Sequence, residues 1–321
     1  MVGYDPKRDV ELSKTEQGAA GALSGILTRT LIQPLDVLKI RFQLQIEPIR
    51  RGSLQSKYQS ILQATRKIVT EEGVKALWKG HMPAQVLSVT YGGVQFVSFE
   101  FFTKEVWNEL PSTLTTDYRP ITHFMCGGLA GCISTLFCQP ADVVRTRLIG
   151  QGEPKFYKTS WHAFSTLYAK EGFLAFYKGL LPAILTVFPQ AALQFGFYTF
   201  FGQLLTSKNA SEISAMDSMT CGFCAGTCSK AVVYPLDVLK KRLQVQGFEE
   251  ARKTFGEHRI YNGLCHCIKL IWKEEKLGGF YKGITPSLLK AGLSTGFSFF
   301  FYEQSCYLMR KRYRNDLDKY R

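Results

Sequence analysis

The sequence Pro34-Leu35-Asp36-Val37-Leu38-Lys39 occurs three times in this chain in closely related form. Its counterparts are Pro140-Ala141-Asp142-Val143-Val144-Arg145 and Pro235-Leu236-Asp237-Val238-Leu239-Lys240. Each copy lies inside a long apolar stretch, where a proline kinks a helix and a charged side chain is costly. A proline, an acid and a base that return at one register indicate a repeated structural unit.

Fixed offsets extend the repeat over most of the chain. An aromatic-lysine-glycine triplet follows each motif, as Trp78-Lys79-Gly80, Tyr177-Lys178-Gly179 and Tyr281-Lys282-Gly283. A tyrosine stands 22 residues before each of these glycines, at positions 58, 157 and 261. We therefore predict three domains, with boundaries at residues 1–112, 113–211 and 212–321.

The composition fits a membrane protein whose helices each have one lipid-facing and one wet face. Hydrophobic residues make up 45% of the 321 residues, but the mean hydropathy is only −0.06. Charges are tolerated inside a membrane where they face a bundle interior or a water-filled cavity. In each repeat, a small-residue helix with the proline precedes a short amphipathic helix and a second long apolar helix. The prediction is an all-α membrane protein with six transmembrane helices in three pseudo-three-fold repeats around a central cavity, and three short interfacial helices.

The charge and cysteine content narrow the functional classes. Lys and Arg number 40 against 26 acids, a net charge of +14, and the bases are spread over all three repeats. This distribution favours lipid headgroups and an anionic substrate over nucleic acid. Cys221-x-x-Cys224-x-x-x-Cys228 and Cys265-His266-Cys267 have no partner cluster at zinc spacing, so we predict no metal site. The five histidines form no catalytic pattern, so we expect no enzyme.

We interpret the acid and base of each motif as partners on neighbouring helices of a three-fold ring. The expected pairs are Asp36 with Arg145, Asp142 with Lys240, and Asp237 with Lys39. Three such pairs would close one membrane face. Because water surrounds them once they separate, they could break and reform.

These motifs resemble the mitochondrial carrier family, and the resemblance covers nearly the whole chain. It implies a multi-pass transporter of the mitochondrial inner membrane that works by alternating access, with the three ion pairs as its matrix gate. Gln43 and Gln244 match the glutamines that brace this gate, whereas Ile149 stands in the second repeat. The family's cardiolipin sites match the lysine-glycine pairs of the triplets: Lys79, Gly80, Lys178, Gly179, Lys282 and Gly283. We expect a monomer without a cofactor of its own.

The chain departs from the family at the cytoplasmic gate, whose motif is [FY]-[DE]-x-x-[KR]. Its candidate residues here are Phe99, Glu100, Tyr198, Tyr302 and Glu303. No base stands at the last position, which Thr103, Gly202 and Cys306 occupy. We predict a weak gate, held by aromatic rings and hydrogen bonds. Lys276 also replaces a usual glycine.

The family's cavity positions suggest the chemistry of the cargo. The contact points are Leu87, Ser88, Thr186, Val187 and Lys290, and Arg29 and Lys230 also lie at cavity positions. We expect Arg29, Lys230 and Lys290 to give three cations and no acid in the cavity, which suits a multiply charged phosphate such as a pyrophosphate. The side-chain amides of Gln95 and Gln194 could form hydrogen bonds with a heterocycle of the cargo, or hydrogen bonds between helices.

Within the family, loop segments such as Gln151-Gly152-Glu153-Pro154-Lys155 resemble the branch that carries thiamine pyrophosphate. This resemblance implies import of that coenzyme into the matrix in exchange for another phosphorylated species. A carrier of nucleotides or coenzyme A would need the same cations and is the alternative. A basic nucleic-acid-binding repeat protein is the alternative from another class, but the proline-kinked apolar helices disfavour it.

Overall fold

Nearly every described residue of this computed structural model lies in a helix. The structure describes residues 13–49, 56–109, 119–208, 215–248, 252 and 259–319. Its α-helices are α1 (Lys14–Leu44), α2 (Ile61–Glu72), α3 (His81–Glu109), α4 (Arg119–Gly150), α5 (Ser160–Glu171), α6 (Leu180–Lys208), α7 (Ala215–Gln244), α8 (Leu264–Phe280) and α9 (Ile284–Lys319). Six of them are long, and α2, α5 and α8 are the short helices that the sequence predicted.

The six long helices form a closed ring. The tightest packing joins the second long helix of one repeat to the first of the next: α3 to α4, α6 to α7, and α9 back to α1. The two long helices within one repeat touch far less, and α4 with α6 is the most extensive of these contacts. The ring therefore has a central space, and the seams within each repeat are the loosely packed ones.

The long helices carry apolar side chains on their outer faces. In α1 the exposed residues are Leu23, Ile26, Leu27 and Leu31, at the i, i+3, i+4 and i+8 spacing of one helix face. Within the part of the chain that the structure describes, two stretches qualify as membrane spans by length and hydropathy, Arg119–Gly150 and Phe173–Leu204. The inward charges of α1 lower its average hydropathy, as the sequence analysis anticipated for helices with one wet face.

The short helices differ at their ends. Ser60 and Thr159 cap α2 and α5 by accepting hydrogen bonds from the backbone N–H of Gln63 and His162, at 3.3 and 3.1 Å. Both helices stop at a glycine in the left-handed region. At the corresponding position of α8, Lys276 adopts a φ of 54°. A residue with a β-carbon is strained there, and α8 consequently contains a kink.

Candidate functional site

The last turns of α1, α4 and α7 meet at one end of the ring, here called the closed end. Nη2 of Arg145 lies 2.7 Å from Oδ2 of Asp36, and Nζ of Lys240 lies 2.8 Å from Oδ2 of Asp142. The third pair, Lys39 with Asp237, is longer at 3.4 Å. All three of the ion pairs expected between neighbouring repeats are therefore present, and together they link the three repeats in a cycle.

Each of these aspartates also holds a second cation, which the sequence analysis missed. Nζ of Lys290 is 2.6 Å from Asp36, Nζ of Lys230 is 2.5 Å from Asp237, and Nζ of Lys241 is 2.8 Å from Asp142. The expectation of three cavity cations without an acid is wrong for two of them. Lys230 and Asp237 are seven residues apart, so two turns of α7 place them on one face.

The third expected cation, Arg29, has a neutral partner. Its Nη1 donates to the carbonyl oxygen of Ala84 at 2.5 Å, which ties α1 to α3. Lys290 and Arg29 border the same small cavity, together with Asp36. The local charge there combines two cations and one acid, so an anion that displaces Lys290 from Asp36 would meet two positive groups.

The two predicted glutamine braces make different contacts. Nε2 of Gln244 donates to Oδ2 of Asp142 at 2.9 Å, so this glutamine directly supports an ion pair. Nε2 of Gln43 instead donates to the hydroxyl of Tyr234 at 3.1 Å, and that hydroxyl donates to the carbonyl of Lys282 at 3.0 Å. Gln43 thus bonds to Tyr234, which stands before the third proline where the first two repeats have Gln33 and Gln139.

Three buried arginine-glutamate-lysine clusters lie beside the ion pairs and were also missed. Their members are Arg41, Glu72 and Lys79; Arg147, Glu171 and Lys178; and Arg242, Glu275 and Lys282. In the first, Nη2 of Arg41 lies 2.7 Å from Glu72 and Nζ of Lys79 lies 2.5 Å from it. The signal was in the sequence: each arginine follows its motif proline by seven residues, and each glutamate precedes the triplet glycine by eight.

The glutamates of these clusters stay charged in their buried surroundings. Burial alone would raise the pKa of Glu72, but the hydrogen bonds and attraction from Arg41 and Lys79 outweigh it, and the pKa is lowered from its ordinary value. The same opposing causes lower the pKa of Glu171 and of Glu275. Each cluster therefore joins the last turn of a first long helix to the following short helix and to the lysine that precedes the second long helix.

The lysines that the resemblance assigns to cardiolipin are engaged in these clusters. The ammonium groups of Lys79, Lys178 and Lys282 all contact the cluster glutamates. Lys282 also donates to the carbonyl oxygens of Ile46 and Glu47. The glycine after each of these lysines precedes the first backbone N–H groups of a long helix. Backbone N–H groups at a helix start can bind anions.

Two of the cavities lined by described residues lie inside the ring, above the ion pairs. The larger has a volume of about 1280 Å³ and is bounded by α3, α4 and α6, with Asp237 and Lys240 at its floor. Four of the predicted cargo positions line it, namely Gln95, Thr186, Val187 and Gln194, together with the rings of Tyr91, Phe96, Phe99, Phe124 and Phe195. It can therefore hold an apolar or aromatic group and offer amides to it.

The smaller cavity, of about 440 Å³, lies between α1, α3 and α9 and is more polar in character. Arg29, Lys290 and the predicted contact point Ser88 line it, with further hydroxyl and amide groups from Ser294, Ser298 and Gln85. The predicted contact point Leu87 is not among the residues that line this cavity. Its carbonyl oxygen accepts a hydrogen bond from the thiol of Cys138 at 3.7 Å.

The opposite end of the ring, here called the open end, contains the predicted cytoplasmic-gate residues. The structure does not bring them together. Phe99 stacks on His123 with ring centroids 5.9 Å apart, whereas Tyr302 packs with Ala20 and Cys306. Tyr198 is exposed on α6. Within the described part of the chain, Glu100 makes no ion pair, and the large cavity reaches Pro120 at this end.

Comparison with known proteins gives the family. A family model described as "Mitochondrial carrier protein" matches residues 11–110, 116–209 and 211–313. The chain belongs to the mitochondrial carrier family. A human relative, "Mitochondrial thiamine pyrophosphate carrier", is 50% identical over 311 residues, covering 95% of this chain and 96% of the relative. The "Mitochondrial thiamine diphosphate carrier 1" of Zea mays is 37% identical over 306 residues, covering 88% and 91%. A protein of the same name from Arabidopsis thaliana is 34% identical over 305 residues, covering 89% and 91%.

Proposed function

We propose that this carrier imports thiamine pyrophosphate across the mitochondrial inner membrane into the matrix, in exchange for another phosphorylated compound. The observation that carries the proposal is 50% identity over 95% of the chain to a protein named for that cargo. The two cavities support it, because one is cationic and the other is aromatic.

The pyrophosphate would bind in the smaller cavity. Arg29 and Lys290 supply charge there, and Ser88 supplies a hydroxyl. Hydrogen bonds between cations and phosphate oxygens are about twice as strong as neutral ones. Lys230 pairs with Asp237, which lines the larger cavity. It would be the third cation available to the pyrophosphate.

The rings of the cargo would bind in the larger cavity. The thiazolium is a cation, and aromatic faces attract cations. Tyr91, Phe99 and Phe124 provide such faces, and Gln95 and Gln194 can exchange hydrogen bonds with the aminopyrimidine. A ligand with one anionic end and one aromatic end matches this division better than a simple phosphate does.

Cargo binding would act on the closed end, which we assign to the matrix side. Asp36 and Asp237 hold cations from the cavity as well as cations from the neighbouring repeat. A pyrophosphate would draw Lys290 and Lys230 away from these aspartates and rearrange the ion pairs. A ligand shifts such an equilibrium only by its differential affinity for the two states, and the charge of the cargo provides this difference.

We further infer that the protein works as a monomer, is not an enzyme, and binds cardiolipin through the helix starts at Gly80, Gly179 and Gly283. These glycines have positive φ angles and precede the backbone of α3, α6 and α9. Anionic headgroups are stabilised at helix N-termini by the backbone N–H groups and the helix dipole. The predicted gate at the open end would close over the cargo through its rings.

The test is exchange in liposomes that contain the purified carrier. We expect uptake of labelled thiamine pyrophosphate into vesicles preloaded with unlabelled thiamine pyrophosphate, and loss of that uptake in Lys290→Ala. Lys269→Ala is the matched control, because this lysine is exposed on α8 of the same repeat and should change nothing. Uptake of nucleotides or coenzyme A without thiamine pyrophosphate would overturn the proposal in favour of the alternative cargo.

A further inference from the structure

Phe188 of α6 lies directly against Gly128 of α4, in the middle of the ring. A β-carbon on Gly128 would overlap this ring, coming within 2.7 Å of Cδ1. One turn along, a β-carbon on Gly131 would lie 2.8 Å from Cγ1 of Val187. The two long helices of the second repeat thus contact each other where the ring of Phe188 packs against Gly128.

The third repeat contains the same contact with the two residues exchanged. Phe223 is twelve residues before its motif proline, as Gly128 is, and Gly292 is nine residues after its triplet glycine, as Phe188 is. A β-carbon on Gly292 would lie 3.5 Å from Cε2 of Phe223. The phenylalanine therefore comes from the first helix in one repeat and from the second helix in the other.

In the first repeat, the corresponding residues are Ala22 and Val89, and both line the smaller cavity. Val89 is exposed, so the first repeat has a small and a medium-sized residue at these positions without a tight contact. The second and third repeats meet one steric requirement in two ways, which indicates that the combined size of the pair matters more than which helix supplies the bulk.

We propose that the pairs of the second and third repeats, here called the seats, set the spacing of the two long helices within those repeats, and that Phe188 is a positioning residue for cargo. Contact within a repeat is sparse, so one seat controls much of it. Thr186 and Val187, which line the larger cavity, lie in the same turn as Phe188. A displaced ring would move them relative to Lys290 and Arg29. This inference depends on the proposed function only because thiamine pyrophosphate is the labelled compound used to test it.

The test transplants one repeat's seat into another. Gly128→Ala alone should raise the half-saturation concentration for thiamine pyrophosphate by about tenfold, or about 1.4 kcal/mol of binding free energy, because the displaced Phe188 ring moves Thr186 and Val187. Adding Phe188→Val recreates the alanine-valine pair of the first repeat and should restore the value to within about threefold. The exchanged pair, Gly128→Phe with Phe188→Gly, copies the third repeat and should also exchange cargo.

Gly222→Ala is the matched control, because nothing lies within 4 Å of a β-carbon at that position of α7, so it should leave transport unchanged. A merely structural role would reduce the number of active carriers, and hence the maximal rate, at an unchanged half-saturation concentration. That result would overturn the proposal, as would a double variant no better than Gly128→Ala.

If Gly128→Ala does not fold, Phe188→Val alone serves instead. It should raise the half-saturation concentration and be corrected by Gly128→Ala, and failure of that correction counts against the seats. A wild-type carrier that does not exchange thiamine pyrophosphate counts against the proposed function. In that case the exchange of ADP by the variants is measured instead. Failure of the proposed cargo can then be told apart from failure of the seats.

Discussion

The closed end and the open end of this carrier are held by different chemistry. At the closed end, three aspartates each bind two cations, and three arginine-glutamate-lysine clusters lie behind them. At the open end, the residues of the predicted gate contact aromatic and apolar neighbours, as Phe99 does with His123. Among the described residues, ionic contacts therefore dominate the closed end, and aromatic and apolar contacts are the ones seen at the open end.

The closed end itself contains two kinds of ion pair. Lys39 and Asp237 keep exposed fractions of 16 and 15%, so water can replace their contact. Arg41 and Glu72 are only 1 and 2% exposed, and separating them would leave buried charges unpaired. The first and third clusters are dry in this sense, whereas in the second Glu171 is 19% and Lys178 32% exposed. Separating a dry cluster should therefore cost more than separating Lys39 from Asp237.

Breaking a dry cluster should give the largest effect. Arg242→Ala leaves Glu275 buried without its main partner, so we expect a loss of about 3–5 kcal/mol in the free energy of unfolding. A thermal melt of the purified carrier in detergent measures it. The control is Arg259→Ala, whose pair with Glu274 is 39 and 32% exposed and contributes about 0–1 kcal/mol. Equal melting shifts in the two variants would contradict the distinction.

Acid should weaken the closed end first. The pKa values of Glu72, Glu171 and Glu275 are lowered in the folded protein, below an ordinary value of 4.5. Their stabilisation is present above that value and is lost as the pH falls through the lowered pKa values. Melting temperatures measured from pH 6 downward should therefore drop below about pH 4.5. Glu275→Gln should flatten this drop, and an equally steep curve would argue against the clusters as its cause.

A smaller effect is expected at the kink of α8. Lys276→Gly should stabilise the protein by about 1 kcal/mol, because glycine adopts a φ of 54° without the steric cost of a β-carbon. Lys276→Ala removes the charge but keeps the strain, so it should bring no gain. If both variants raise the melting temperature equally, charge rather than backbone strain is responsible.

The smallest effect is expected at the open end, where a missing base can be restored. Thr103→Lys places a cation three residues after Glu100, a spacing worth about 0.2–0.5 kcal/mol on a helix. The hydroxyl of Thr103 now donates to the carbonyl of Phe99 at 2.6 Å, and Thr103→Val controls for its loss. A melting shift in Thr103→Lys as large as that of Arg242→Ala would show that the two ends do not differ in kind.

The repeated offsets in the sequence predicted the helices and the three ion pairs, and the family resemblance supplied most of the cavity positions. The offsets worked because a residue at one offset from the proline occupies one place in all three repeats. What the sequence analysis missed were contacts between side chains that no single motif contains. Lys290 with Asp36 joins α9 to α1, and no single motif contains both. The Arg–Glu clusters show regular offsets as well, but only the fold reveals that Arg41 faces Glu72.

The central claim is that the aspartates of the closed end compete with the cargo for the cavity cations. The most direct measurement is the affinity of purified Asp36→Asn for thiamine pyrophosphate by titration calorimetry. Asp36 now holds Lys290 at 2.6 Å, so its neutralisation frees this cation. We predict binding tighter by about fivefold, roughly 1 kcal/mol, together with slower exchange. Binding that is weaker than wild type, or unchanged, would contradict the account.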